Sequence, residues 1–156
     1  MAVKKVLIVL DYDLTVIDGI GDLKARDMIS PSVPEEIKAL HSPNGFNEYM
    51  KAVFEKLHRD GISAEKIQNE VKAIPLVQGM KEIFDYFEKH EDVYELIVIS
   101  DSNTLFVNWS LLHHQLKVGQ VYSNPARVGE NGEILLDPYH HQEWCDMSTI
   151  NLCKGR

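Results

Sequence analysis

The chain has 156 residues, 44% hydrophobic and 26% charged, with a formal net charge of −8. That length suits one domain with a small insertion, and that balance is ordinary for a globular fold and wrong for a disordered chain. The acid excess argues against nucleic acid or an anionic membrane surface as the main partner, but a local site can still be positive and take an anionic substrate.

Residues 4–10 read as a fully buried strand, a short β-rich run without alternation, as parallel sheets require. The run is too short for the core of a secretory leader, and nothing approaches a membrane span. Cys145 and Cys153 make no framework of the secreted kind, so a cytoplasmic protein is expected. Residues 19–34 read as loop, punctuated by Gly19, Gly21, Pro31 and Pro34. "VPEEIKALH" reads as a short helix with Pro34 near its start. "FNEYMKAVFEKLHRDG" repeats Phe46, Tyr49, Met50, Val53, Phe54 and Leu57 at helical spacing and stops at Gly61. "SAEKIQNEVKAI" begins at a Ser63 cap and puts Ile67, Val71 and Ile74 on one face. "GMKEIFDYFEKH" does the same with Met80, Ile83, Phe84 and Phe87. These stripes are read as core packing.

"YELIVIS", residues 94–100, is a second buried strand. "SDSNTLFVNWSLLHHQL" is a helix whose entry is crowded with capping residues. "QVYSNPA" is a third strand, and "ARVGENGEILLDPYH" a hairpin turning at Asn131-Gly132. "INLCKGR" reads as a helix just beginning. Alternating strands and helices predict an α/β fold with a parallel sheet, in which ligands lie beyond the carboxyl ends of the strands. Asp11 and Ser100 end the first two strands and therefore share that rim.

Asp11 and Asp13 follow the first strand. If the chain stays extended, residues i and i+2 point the same way. Two adjacent carboxylates are costly to ionise without a cation. Mg²⁺ is a hard cation that takes oxygen ligands and is shared with substrate phosphate. An aspartate can also attack phosphorus to give an aspartyl-phosphate. The plain alternative is a polar turn after a strand. Ser100 puts a hydroxyl directly before a helix N-terminus, where anions bind, or it simply caps that helix. Lys154, near a helix start, runs against the helix dipole, and a nearby phosphate would explain it. The alternative is a solvated lysine.

Strand-Asp-x-Asp-x-Thr, strand-Ser and a late lysine together resemble the haloacid-dehalogenase superfamily of phosphotransferases. "DYDLTVIDGIGD", "IVISDSNTLF", "SNPARV" with "NGEILLDPYH", and "NLCKG" resemble more closely the small phosphatase family that includes phosphoethanolamine/phosphocholine phosphatase and pyridoxal-phosphate phosphatase. The resemblance runs from about residue 4 to the end. It implies a Rossmann-like core, residues 1–23 and 78–156, with a helical cap inserted at 24–77. It implies Asp11 as nucleophile and Asp13 as general acid/base, with Mg²⁺ as cofactor held by the Asp11 carboxylate and the Asp13 backbone carbonyl. Ser100 and Lys154 would bind the phosphoryl group. Asp22 and Asp101 would lie near the leaving group and favour an amine or quaternary ammonium. Pyridoxal phosphate, phosphoethanolamine, phosphocholine and pyrophosphate all remain compatible as small-molecule phosphate esters or anhydrides.

Two departures go with the resemblance. The family has a fourth motif after the lysine, a strand ending in a further acidic metal ligand, whereas this chain stops at Arg156. The expectation is that the C-terminal part of the core is missing, so the chain is a fragment of a longer enzyme or does not hold Mg²⁺ in the family way. The first strand would then be unpaired on one side. Relatives also carry more cysteines before "NLCKG". A zinc site from His140, His141, Cys145 and Cys153 is conceivable, although its spacing fits no common zinc pattern. Three functions therefore compete. The first is a Mg²⁺-dependent phosphomonoesterase. The second is a non-catalytic truncated domain that binds phosphate or a protein partner. The third is a receiver-type signalling domain, disfavoured by the helical insertion between Asp11 and Ser100. The sequence carries no signal for oligomeric state.

Overall fold

The computed structural model describes residues 5–42 and 44–155. Three strands, β1 (Val6–Leu10), β2 (Tyr94–Asn103) and β3 (Gln120–Asn124), form a parallel sheet in the order β1-β2-β3. The register runs from Val6 opposite Tyr94 to Leu10 opposite Val98. β2 is central, and Leu96, Ile97 and Val98 are buried. β1 departs from the expected full burial: among the described residues it pairs only with β2, and Val6, Leu7 and Val9 are half exposed. A strand with one neighbour keeps an open edge, and its aliphatic side chains are only partly covered. The expected start of this strand at Lys4 lies outside the described residues.

Between β1 and β2 the described residues form five helices: α1 (Gly21–Arg26), α2 (Glu35–Lys38), α3 (Phe46–Arg59), α4 (Ala64–Lys72) and α5 (Met80–Lys89). The apolar stripes of α3 and α4 fall inward as their spacing predicts, with Tyr49, Met50, Val53, Phe54, Leu57, Ile67 and Val71 buried. Ser63 Oγ accepts from Lys66 N at 3.2 Å, the expected cap. On α5, Met80 and Phe84 are buried, but Ile83 faces solvent. α1 is a correction, because residues 19–34 read as loop. It is only six residues long, and the residue before it, Ile20, offers no capping side chain. The cap comes instead from Asp13, whose Oδ1 accepts from Gly21 N at 2.8 Å.

A sixth helix, α6 (Thr104–His113), starts four residues later than expected, because β2 stays extended through Asn103. Asn103 is the cap, its Oδ1 accepting from Phe106 N at 3.0 Å. β4 (Ala126–Val128) and β5 (Ile134–Leu136) form the expected antiparallel hairpin, with Gly132 at φ 85° in the left-handed region that its turn needs. The described part of "INLCKGR" makes turns rather than a helix, and Arg156 lies outside the described residues. Lys154 therefore does not oppose a helix dipole there.

One apolar cluster joins the helices inserted after β1 to the sheet and α6. At its centre Phe54 of α3 meets Phe106 of α6 edge to face, ring centroids 5.8 Å apart. Among the described residues no helix is long and apolar enough to cross a membrane.

Candidate active site

Asp11 is the first residue beyond β1. Its Oδ1 accepts from Tyr12 N and its Oδ2 from Lys154 Nζ, both at 2.8 Å. The backbone does not stay extended after it. It turns around Tyr12, whose carbonyl accepts from Val16 N and Ile17 N at 2.9 and 3.2 Å. Leu14, with φ 57°, takes the left-handed conformation and hands its N–H to Gly19 O. The extended geometry expected for Asp11 to Asp13 is thus replaced by a tight turn. The turn is anchored by the fully buried Tyr12 ring, and the Tyr12 hydroxyl bonds to Phe106 O and Ser110 Oγ.

The turn still brings both acids into one electrostatic cluster. Burial lifts the Asp13 carboxyl to about 6, and Asp101 and Asp11 add to that rise. The Gly21 N–H and Lys154 oppose it. Lys154 Nζ also lies 3.7 Å from Asp101 Oδ1, so one ammonium sits between two carboxylates. Asp22, on α1, is 4% exposed. Burial raises its pKa well above the usual carboxylate range, Asp13 and Asp101 push the same way, and the Asn103 Nδ2 donor at 3.3 Å resists. Asp22 thus faces Asn103 behind the cluster, whereas Asp101 is exposed at the mouth.

Ser100 lies within β2 and is fully buried, and its Oγ accepts from Ser102 N at 3.2 Å. It does not cap α6, which begins at Thr104 and is capped by Asn103, and this corrects the expectation of a hydroxyl directly before the helix. Next to it, Ser102 Oγ is buried and has no hydrogen-bond partner. Nothing in the sequence singled Ser102 out beyond its place in "ISDSN".

Three further polar residues were missed. Asn47, Asn124 and Asn151 are all buried and bonded to one another where α3, the end of β3 and the loop before Lys154 meet. Single asparagines carry no periodic signal, so only the fold reveals them. Beside them a cavity of about 270 Å³ is lined by His41, Ser42, Phe46, Asp101, Thr149 and Asn151.

The donor chemistry at Asp11 and Asp13 is all oxygen. Mg²⁺ is commonly held through one or two carboxylates together with substrate phosphate and water, so the Asp11 carboxylate and Asp13 fit it. Among the described residues no three His, Cys, Asp or Glu side chains gather as a metal cage. The zinc arrangement weighed above finds no support. His140 Nε2 accepts from Cys153 N at 2.8 Å, His141 faces Glu143 on the surface, and Cys145 Sγ bonds to Ser148 Oγ.

The fold matches solved phosphatases. A phosphoserine phosphatase captured as a phospho-aspartyl intermediate analogue superposes with a TM-score of 0.61 at 20% identity, over 86% of this chain and 63% of that one. An apo phosphoserine phosphatase gives 0.57 at 18% identity, over 85% and 62%. The likeness is therefore one of fold, the α/β Rossmann-like arrangement of haloacid-dehalogenase-type enzymes. In sequence, the pyridoxal phosphate phosphatase of Homo sapiens is 31% identical over 154 residues, covering 96% of this chain and 63% of the relative. The human phosphoethanolamine/phosphocholine phosphatase is 32% identical over 154 residues, covering 96% and 57%. The chain thus spans roughly three fifths of the length of these relatives. The family described as Putative Phosphatase matches residues 6–156, from the first described strand past the lysine that closes on Asp11. By that match, and by a fold that agrees with it, the chain belongs to this phosphatase family.

Proposed function

We propose that this chain carries the chemistry of a Mg²⁺-dependent phosphomonoesterase acting on a small phosphorylated metabolite through an aspartyl-phosphate. The observation that carries the reading is the closure of Lys154 on Asp11 at 2.8 Å, from the far end of the sequence, beside an Asp13 carboxyl lifted to about 6. Lys154 fixes the rotamer of Asp11 and offsets charge on an incoming phosphoryl group. An Asp11 oxygen attacks phosphorus as the bond to the ester oxygen breaks, and Asp13 gives that leaving oxygen a proton. Asp13, now a carboxylate, takes a proton from water, whose oxygen attacks the same phosphorus and frees Asp11 and phosphate. A pKa near 6 lets one group serve both steps near neutral pH.

Mg²⁺, held by the Asp11 carboxylate and the Asp13 backbone carbonyl, would supply Lewis-acid stabilisation of the phosphoryl charge. Ser100 is proposed on the phosphoryl oxygens, its Oγ then exchanging the bond it accepts from Ser102 N. Asp101 is proposed on the leaving-group side, where it lines the cavity beside His41 and Phe46. Asp22, buried on α1, is proposed to join it only if that short helix shifts. The inserted helices, about residues 24–77, are proposed as the cap that excludes water. Pyridoxal phosphate, which names one relative's activity, and phosphoethanolamine or phosphocholine, which name another's, are the substrates to try first.

A second reading is a domain that binds phosphate or a partner without turnover. It is favoured by the absence, among the described residues, of a three-ligand acidic metal cage. One experiment separates the two. Phosphate release from an aryl phosphate is measured with and without Mg²⁺, beside Asp11→Asn. Metal-dependent release lost in the variant is expected. A folded chain with no release, or an Asp11→Asn form as active as the parent, would overturn the phosphatase reading.

A further inference from the structure

The three buried asparagines belong to three separate parts of the molecule. Asn47 is in the first turn of α3, Asn124 is the last residue of β3, and Asn151 is three residues before Lys154. Asn151 Nδ2 donates to Asn124 Oδ1 at 3.0 Å and to Asn47 Oδ1 at 3.3 Å. Asn47 Nδ2 donates to Asn124 Oδ1 at 3.4 Å. The other end of Asn124 reaches β2: its Nδ2 donates to Asp101 O at 2.7 Å and to Ser102 O at 3.1 Å. One amide therefore joins the backbone of Asp101 to the loop carrying Lys154 and to the inserted helix. Asp101 and Asp11 are the two carboxylates beside Lys154 Nζ.

Resting on the phosphatase reading above, we infer that Asn47 is a positioning residue that couples the seating of α3 to the placement of Lys154. Its hydrogen bonds form only while the first turn of α3 lies against Asn124 and Asn151. When α3 lifts, Asn124 Oδ1 keeps Asn151 Nδ2 and Tyr139 N, but Asn151 Nδ2 loses one of its two acceptors in a buried place where an unmet donor is costly. The loop then relaxes, and Lys154 with it. The same motion opens the cavity between Phe46, next to Asn47 on α3, and Asp101, Thr149 and Asn151 on the core. Opening the leaving-group cavity and loosening the phosphate-side lysine are thus one event. By linkage, an anion held by Lys154 favours the seated α3.

The test uses inorganic phosphate as the probe and the full chain. Phosphate affinity is measured by calorimetry, and amide hydrogen exchange over residues 149–154 by mass spectrometry. The proteins are the parent, Asn47→Leu, Lys154→Met and the double variant. Asn47→Ser, too short to reach Asn124, serves if Asn47→Leu does not fold. The expected result is about tenfold weaker phosphate binding in the Asn47 variant, the scale of a hydrogen bond or two. The 149–154 amides should exchange faster while those of β2 and β3 are unchanged, and no further loss should appear in the Lys154→Met background. An Asn47 variant that binds phosphate as the parent does would overturn the inference and leave the phosphatase reading standing. If the parent itself neither binds phosphate nor turns over ester, that reading falls. Unchanged exchange over 149–154 in the variant would then overturn the coupling independently.

Discussion

The helices that follow β1 meet the rest of the molecule along two seams of opposite character. One is apolar, where Phe54 of α3 lies edge-on to Phe106 of α6 and α4 packs beside it. The other is polar, where Asn47, Asn124 and Asn151 exchange hydrogen bonds. Apolar contact is strong and indifferent to small sliding, because it scales with area rather than direction. Amide bonds contribute less net free energy but hold only at one geometry. The apolar seam keeps α3 attached, and the polar seam decides where its first turn rests.

The first way to break this contrast is at its strong side. Phe54→Ala removes a ring that is 1% exposed and should cost about 3–5 kcal/mol in urea unfolding followed by circular dichroism. A loss below about 1 kcal/mol would mean that the seam repacks freely. Asn124→Ala cuts the polar side at its hub and should cost about 1–3 kcal/mol, because Asp101 O, Ser102 O and Tyr139 N lose a buried partner. Its mark should be local, with faster amide exchange at 137–154 while α4 and α6 stay protected. Uniformly faster exchange would show that the hub supports the whole fold rather than one junction.

Asp22→Asn sharpens the contrast through pH. The Asp22 carboxyl is buried and its folded pKa is raised above the ordinary 3.8. The unfolded chain therefore ionises first, and the parent loses stability as pH rises from about 4 towards the folded pKa. Asparagine cannot ionise and keeps the shape. The variant should melt at higher temperature than the parent above about pH 4, and the gap should close below it. A gap that persists at pH 3 would assign the effect to packing instead. The smallest effect is expected at Lys24→Ala. This cuts the exposed pair with Glu70 between α1 and α4, at 3.2 Å, for at most about 1 kcal/mol, and the effect should shrink further in salt.

Where the sequence spoke in periods, it was legible. The stripes of α3 and α4, the buried aliphatic run of β2, and Asn131-Gly132 in the hairpin stand in the structure as their spacing implies, whereas β1 forms as a strand but not as a buried one. α1 escaped because six residues give no stripe and its cap, Asp13, is eight positions away. The late start of α6 escaped because Ser100 to Asn103 all look like caps, and only the pairing of Asn103 with Asn124 shows which one ends the strand. The six candidate residues were found by motif, and the structure brings Asp11, Asp13, Asp101 and Lys154 together. It places Ser100 and Asp22 inside the protein, a matter of burial that no motif encodes.

The last segment escaped for another reason. Residues 142–149 have no regular structure, and their organiser is a side chain. Gln142 Nε2 donates to the carbonyls of Cys145, Ser148 and Thr149 at 3.0, 3.2 and 3.0 Å. Its Oε1 accepts from the N–H groups of Trp144 and Cys145 at 3.1 and 2.9 Å. A loop built around one residue has few intermediate states, since its bonds form and break together. It should behave as a single cooperative unit that opens below the global unfolding transition. Trp144, seated in that unit, then gives it an optical signal of its own, separable from the Trp109 ring packed beside Phe106.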